Sequence, residues 1–159
     1  MPPYNTAQQV QNAASYPNVA QVGYFARDFF TYEVDFTSAI AISASAVGQF
    51  NIQADSDFLL SKLAFLMQGT SFGASILIQD TGSGRNLMNQ AIPIANIMGT
   101  GSLPFILPRQ RGFRANSVVN ITVTNLDSTA GHTITGLFLS FIGEKAFYSG
   151  NVSPLNQGL

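Results

Sequence analysis

Few side chains in this sequence have the types and spacing that chemistry needs. There is one histidine, His132, and no cysteine, which removes disulfides and thiolate metal sites together. His132 follows turn material and precedes an apolar run, so it reads as a turn-flanking surface residue rather than a general base. Asp55 and Asp57 lie two apart, and on a strand they share a face that can approach a cation. No third carboxylate is adjacent, and calcium takes six to eight oxygens, so turn formation or capping is the plainer reading. Asp80 and Asp127 are too distant in sequence to be paired. Gly82, Ser83, Gly84 and Arg85 offer a glycine-rich turn, but a phosphate loop also needs a Gly-Lys-Ser/Thr end and a following helix. A hairpin turn accounts for them.

Arg109, Arg111 and Arg114 are three of seven basic residues, gathered within six positions. Guanidinium groups suit bidentate contact with carboxylates or phosphates. They form a candidate docking loop for an acidic partner surface, with an ordinary solvated loop as the alternative. A phosphate backbone is a third reading, and three arginines in a chain of net charge −1 support it weakly. The remaining candidate contacts are apolar. Leu137, Leu139 and Phe141 take one side of a strand, and Phe138 and Ile142 take the other. Both sides therefore need cover, and Leu137, Leu139 and Phe141 are the expected partner contacts.

The elements that must position these groups read as strands. In residues 117–126, Val119, Ile121 and Val123 alternate with Asn120, Thr122 and Thr124, the period of a strand with one buried face. Residues 127–131 are turn material. Residues 27–36 alternate Phe30, Tyr32, Val34 and Phe36 with Thr31, Glu33 and Asp35, and Phe29 adds an apolar residue to the second face. Residues 39–47 and 49–54 read as two strands separated at Gly48. Residues 74–79 form another, with Ile76 and Ile78 on one side. Residues 103–108 read as a short edge strand bounded by Pro104 and Pro108. The run 55–69 is legible two ways. Leu59, Leu60, Leu63, Leu66 and Met67 keep helical spacing, while a strand buried on both faces gives the same pattern; the strand-like surroundings favour the strand. Short strands with turns every eight to twelve residues predict an all-β, antiparallel sandwich or barrel.

Composition narrows the function class. At 159 residues the natural division is one domain (27–147), preceded by an arm (1–26) and followed by a tail (148–159). Charged residues are 9%, against about 25% in ordinary domains, whereas 49 residues are Ser, Thr, Asn or Gln. A surface of neutral polar groups with few charges favours permanent contacts, with a weakly charged soluble domain as the alternative. Neither terminal segment carries a charged side chain, which favours segments that dock on something, with a simply disordered terminus as the alternative for the arm. No signal segment or spanning run is expected, and no enzyme, cofactor or metal.

Five stretches carry a resemblance. Residues 51–68 (Asn-Ile-Gln-Ala-Asp-Ser-Asp-Phe-Leu-Leu-Ser-Lys-Leu-Ala-Phe-Leu-Met-Gln), 75–87 with 103–108, 113–126, and 137–147 ending Gly-Glu-Lys-Ala-Phe together resemble small structural proteins of tailed bacteriophages, especially capsid decoration or cement proteins. The resemblance implies a jelly-roll-like β-sandwich that sits outside the virion shell as a dimer or trimer. Its implied partner is the major capsid protein, at junctions between subunits. It carries no catalytic signature. Other virion parts (fibre base, baseplate or head–tail connector module) and a carbohydrate-binding jelly roll are the alternatives.

Overall fold

A computed structural model describes residues 24–148. The expected tail from residue 149 and the first 23 residues of the arm lie outside them. Eight strands run in chain order: β1 Tyr24–Phe36, β2 Ser45–Asn51, β3 Asp57–Gly69, β4 Ala74–Asp80, β5 Ile92–Pro93, β6 Phe105–Phe113, β7 Val118–Asn125 and β8 Ile134–Tyr148. One 3-10 turn, Ile94–Asn96, follows β5. All the strand pairs are antiparallel and form two four-stranded sheets, ordered β1-β8-β3-β6 and β2-β7-β4-β5. The chain is an all-β sandwich, and eight strands in two such sheets make the jelly roll.

Alternation explains why the sheets face each other as they do. Tyr32, Val34 and Phe36 of β1, Leu137, Leu139 and Phe141 of β8, and Val119, Ile121 and Val123 of β7 all point into one core. Tyr32, Phe50, Phe58, Phe113 and Phe141 meet ring to ring there, with centroids 4.8 to 6.4 Å apart. Offset and edge-on aromatic pairs of this kind add to area burial. The Tyr32 hydroxyl accepts the Gln53 N–H at 3.2 Å, and burial raises its pKa. At the same end Lys145 is buried beneath the Phe30 ring, 4.8 Å from its centroid. Its Nζ donates to Gln53 and to both Asp55 oxygens, and that hydrogen bond is the main reason the Asp55 pKa is lowered.

Two strand boundaries differ from the sequence reading, each for a local reason, and a third run keeps the expected strand for a reason the sequence did not show. Gly48 does not divide two strands; β2 runs through it. A Cβ there would lie 2.6 Å from Val34 Cγ1 and 2.9 Å from Phe36 Cζ, so glycine allows β1 and β2 to approach across the sandwich. β6 does not stop at Pro108 but continues to Phe113. Lys62 pairs with Ile106 and Leu60 with Arg111, so residues 107–110 stand against Ser61 alone. Pro108 falls within that excursion on the sheet edge, where a missing N–H costs no ladder bond. In 55–69 the strand is the observed state, and its helical spacing has a cause. Ser61 is an extra residue in the ladder with β8, between Leu60 paired to Gly143 and Lys62 paired to Ile142. A bulge of this kind shifts the phase, so Leu60 and Leu63, three apart, both reach the core.

Candidate interaction surface

The three arginines do not form one docking loop. Arg109 and Arg111 lie on β6, and Arg114 follows it. Arg109 is exposed within the 107–110 excursion. Arg111 turns inward on the protein itself. Its Nη2 donates to the Arg85 carbonyl at 2.6 Å and stands 3.5 Å from both Asp80 Oδ2 and Ser83 Oγ. Its guanidinium lies 5.9 Å from the Phe113 ring centroid. Asp80, 1% exposed at its side chain, accepts the N–H groups of Gly82 and Ser83 at 3.0 and 3.2 Å and also the Ser83 hydroxyl. The glycine-rich segment is thus a turn built around Asp80 and tied to β6 by Arg111. Arg114 contributes its carbonyl to the Ser117 N–H and hydroxyl in the β6–β7 turn.

Leu137, Leu139 and Phe141 are not partner contacts within this chain: all three are fully buried. The sequence shows that both faces of β8 are apolar but not which one meets the second sheet. The outward pair is Phe138 and Ile142, both half-buried.

His132, Asp55, Asp57 and Asp127 all engage the protein itself. His132 Nδ1 is 2.9 Å from Asp127 Oδ2, and its ring packs edge-on against Phe72 at 5.1 Å. Asp127 also accepts the N–H groups of Thr129 at 2.8 Å and Phe72 at 3.1 Å. The Thr129 bond leads in holding its carboxyl far below the ordinary range, against the opposing effect of desolvation. Asp57 is fully buried and accepts the Ala115 N–H at 2.9 Å, while Asp55 is engaged by Lys145. Among the described residues no group of three His, Asp or Glu is placed to hold a metal ion.

What the fold does assemble is two contrasting outer faces. On the β2-β7-β4 face the cross-strand rows are Ser45, Thr124, Ser75; then Val47, Thr122, Leu77; then Gln49, Asn120, Gln79. Not one of these nine side chains is charged. On the β1-β8-β3-β6 face the rows are Asp35, Phe138, Leu66; then Glu33, Ser140, Ala64; then Thr31, Ile142, Lys62, Ile106. Leu66 is 58% exposed and Ile106 67%. An open depression of about 340 Å3 lies in this face, lined by Glu33, Leu66, Gln68, Gly101 and Phe138 among others. A second groove, about 480 Å3, lies at one end of the sandwich between Phe72, Pro93, Ala95 and Leu126. Leu66 and Ile106 were missed as surface candidates because their outward direction depends on the phase change at Ser61.

No family model matches the chain, and no curated protein does. Among solved structures it is similar to the VP2 subviral particle of infectious bursal disease virus, at 13% identity and a TM-score of 0.43, over 82% of this chain and 35% of that one. A structure of the Gx strain of the same virus matches at 14% identity and a TM-score of 0.42, over 82% and 34% respectively. The chain thus spans about a third of the length of those structures.

Proposed function

We propose that this protein is a structural component of a virion: a decoration protein that binds the outside of a phage head at junctions between major capsid subunits and reinforces it. The observation that carries the reading is the uncharged outer face of β2, β7 and β4. A charged group loses several kcal/mol of hydration when buried without a partner, whereas Ser, Thr, Asn and Gln can exchange water for protein hydrogen bonds at small net cost. A sheet face of uncharged side chains, seven of the nine polar and two apolar (Val47 and Leu77), is therefore suited to permanent burial against another protein. The jelly-roll frame, an architecture shared by viral capsid and lectin domains, and the charge-free terminal segments support the same reading. Exposed Arg109 on the β6 edge is the remaining arginine free to meet acidic groups of the shell. Binding, not catalysis, is the mechanism. Weak contacts repeated around a shell gain strength through effective concentration.

A carbohydrate-binding role is less well supported. The acid beside the Phe72 groove, Asp127, already accepts two backbone N–H groups and contacts His132. Cryo-electron microscopy of the source virion tests the proposal. Density for this chain on the head exterior at capsomer junctions is expected. Its absence from the particle, or its presence only in the tail, overturns the decoration role.

A further inference from the structure

The four sheet edges are not equally protected against another strand. β1 and β6 end one sheet, and β2 and β5 end the other. β5 is two residues long, and β2 is seven with Gly48 at its centre. β6 is broken by Pro108 and the 107–110 excursion. Short strands, prolines and bulges are common means of keeping an edge from pairing with another chain. β1 has none of these between Ala26 and Phe36. It is thirteen residues long, pairs with β8 without a break over that span, and meets no described strand on its other edge. Charges are another such means, and β1 does carry them, but two of them are placed to attract a copy. Arg27 and Glu33 are exposed, point to the outer side and stand three residues either side of Phe30. Phe29, also on the outer side, is 77% exposed.

We infer that the free edge of β1 joins two copies of the chain, edge to edge, about a two-fold axis through Phe30 and normal to the sheet. Such an axis keeps both outer faces outward and runs the two β1 strands antiparallel, which makes the contact isologous. On the outer side Arg27 falls opposite Glu33 of the second copy, and Glu33 opposite Arg27 of the second copy. Phe29 falls opposite Thr31, and the two Phe29 rings lie on the diagonal, within reach of each other. On the inner side Phe30 meets its counterpart and Ala26 meets Val34. Asp28 lies between Lys145 of its own chain, its partner on β8, and Tyr32 of the second copy. Within one copy Arg27 stands 3.5 Å from Glu144 and Glu33 accepts the Ser140 hydroxyl at 3.0 Å, contacts on the β8 side that leave the free edge open. Centred on Thr31 instead, Arg27 meets Asp35, but Glu33 faces Phe29 and the overlap shortens. A joint one strand long buries less than the ~800 Å2 per partner of stable complexes. Its affinity rests on main-chain hydrogen bonds, as in strand addition generally, so a micromolar dissociation constant is expected. The inference goes beyond the shell-binding reading and fails separately, since pairing in solution does not depend on where the chain sits on a particle.

The test is register-specific cross-linking of the full-length chain, which has no cysteine of its own. Arg27→Cys and Glu33→Cys are made separately, checked for folding by circular dichroism, and oxidised alone and mixed. In the mixture the two cysteines oppose each other with Cα atoms about 4.5–5.5 Å apart, within disulfide reach, so a covalent dimer of the two variants is expected. Alone, each cysteine lies about 20 Å from its counterpart, six positions along the joint, and little cross-linking is expected. A mixture that cross-links no more than the single variants overturns the inference. Glu33→Arg is expected to weaken dimerisation about tenfold in sedimentation, and adding Arg27→Glu to restore it to within about threefold; a double variant no tighter than Glu33→Arg overturns it too. Amide hydrogen exchange in β1, compared at about 1 µM and about 200 µM, separates the other occupants. Protection that rises with concentration is expected. Full protection at both concentrations overturns the inference by assigning the edge to the chain's own arm. Protection that stays partial at both overturns it by leaving the edge to a partner other than this chain.

Discussion

Arg111→Ala separates a structural arginine from a docking one. In the folded chain Arg111 is about a quarter exposed at its side chain and holds the Asp80 turn through the Arg85 carbonyl and, at longer range, the Asp80 carboxylate. Stripping one partner from a fully buried ion pair costs about 3–5 kcal/mol. Here the loss is smaller, for three reasons. Asp80 keeps three donors, from Gly82 and Ser83. The ion-pair distance is 3.5 Å, so its Coulombic gain is partly screened. The Arg111 Nε is buried without an acceptor, which already lowers the residue's net worth. What remains is a charge-assisted hydrogen bond at 2.6 Å and the packing over Phe113, together about 2 kcal/mol. For the described domain that corresponds to a fall in melting temperature of about 6–10 °C. Arg109→Ala, at an exposed site, is expected within about 0.5 kcal/mol of the parent. Urea unfolding at fixed protein concentration measures both, since association shifts apparent stability. If Arg111→Ala unfolds with the parent, or if Arg109→Ala is as costly, the assignment of Arg111 to the fold is wrong.

Three further outcomes follow from the geometry. Leu63→Ala opens a cavity in the fully buried core and is expected to cost about 2–5 kcal/mol, whereas Leu66→Ala is expected to cost under about 1 kcal/mol in a monomeric background; denaturant midpoints compare them, and equal losses would restore the helical reading of this run. Gly143→Ala places a Cβ 2.2 Å from the Leu59 carbonyl oxygen, a backbone atom that cannot swing aside, and is expected to destabilise by about 1–3 kcal/mol; an unchanged melting temperature contradicts the tight β3–β8 approach. Asp127 and Asp55 both have depressed folded pKa values, so their contribution is present above the unfolded value near 3.9 and is lost as pH falls below it toward the folded pKa; Asp127→Asn should flatten that acid limb in a pH-melting series, and an unaltered limb would falsify the role of the Phe72–Asp127–Thr129 contacts.

How far the sequence could be read depended on which physical signal each strand carried. β7 was legible because only one of its faces is apolar: Val119, Ile121 and Val123 are fully buried as the alternation requires. β8 was legible as a strand, but its inward face was not, because alternation states which residues share a side and says nothing about what lies opposite. Only pairing with β1 and β3 decides that Leu137, Leu139 and Phe141 face the second sheet. Gly48 and Pro108 are residues that usually end strands, and here each serves a tertiary purpose, close approach in one case and an edge excursion in the other. The arginines looked alike by type and spacing. Their separation into one internal tie and one exposed side chain arises from the Asp80 turn, 31 positions away from Arg111.

The extra residue at Ser61 links core and surface. Had β3 kept strict alternation after Leu60, an inward residue, Ser61 would point out, Lys62 in and Leu63 out. A lysine would then enter an aromatic and aliphatic core without a partner, at a cost of several kcal/mol, while Leu63 would be left on the surface. The bulge reverses that assignment. It sends Leu63 inward beside Phe141 and turns Lys62, Ala64 and Leu66 outward, in register with Ile142, Ser140 and Phe138. The β6 excursion opposite Ser61 carries exposed Arg109, so two basic residues border the same irregularity, across the sheet from Glu33 and Asp35. Bulges that re-aim side chains are commonly retained as functional features rather than defects. In this chain a single inserted residue both completes the hydrophobic core with Leu63 and places Lys62 and Leu66 on the outer face of the sheet.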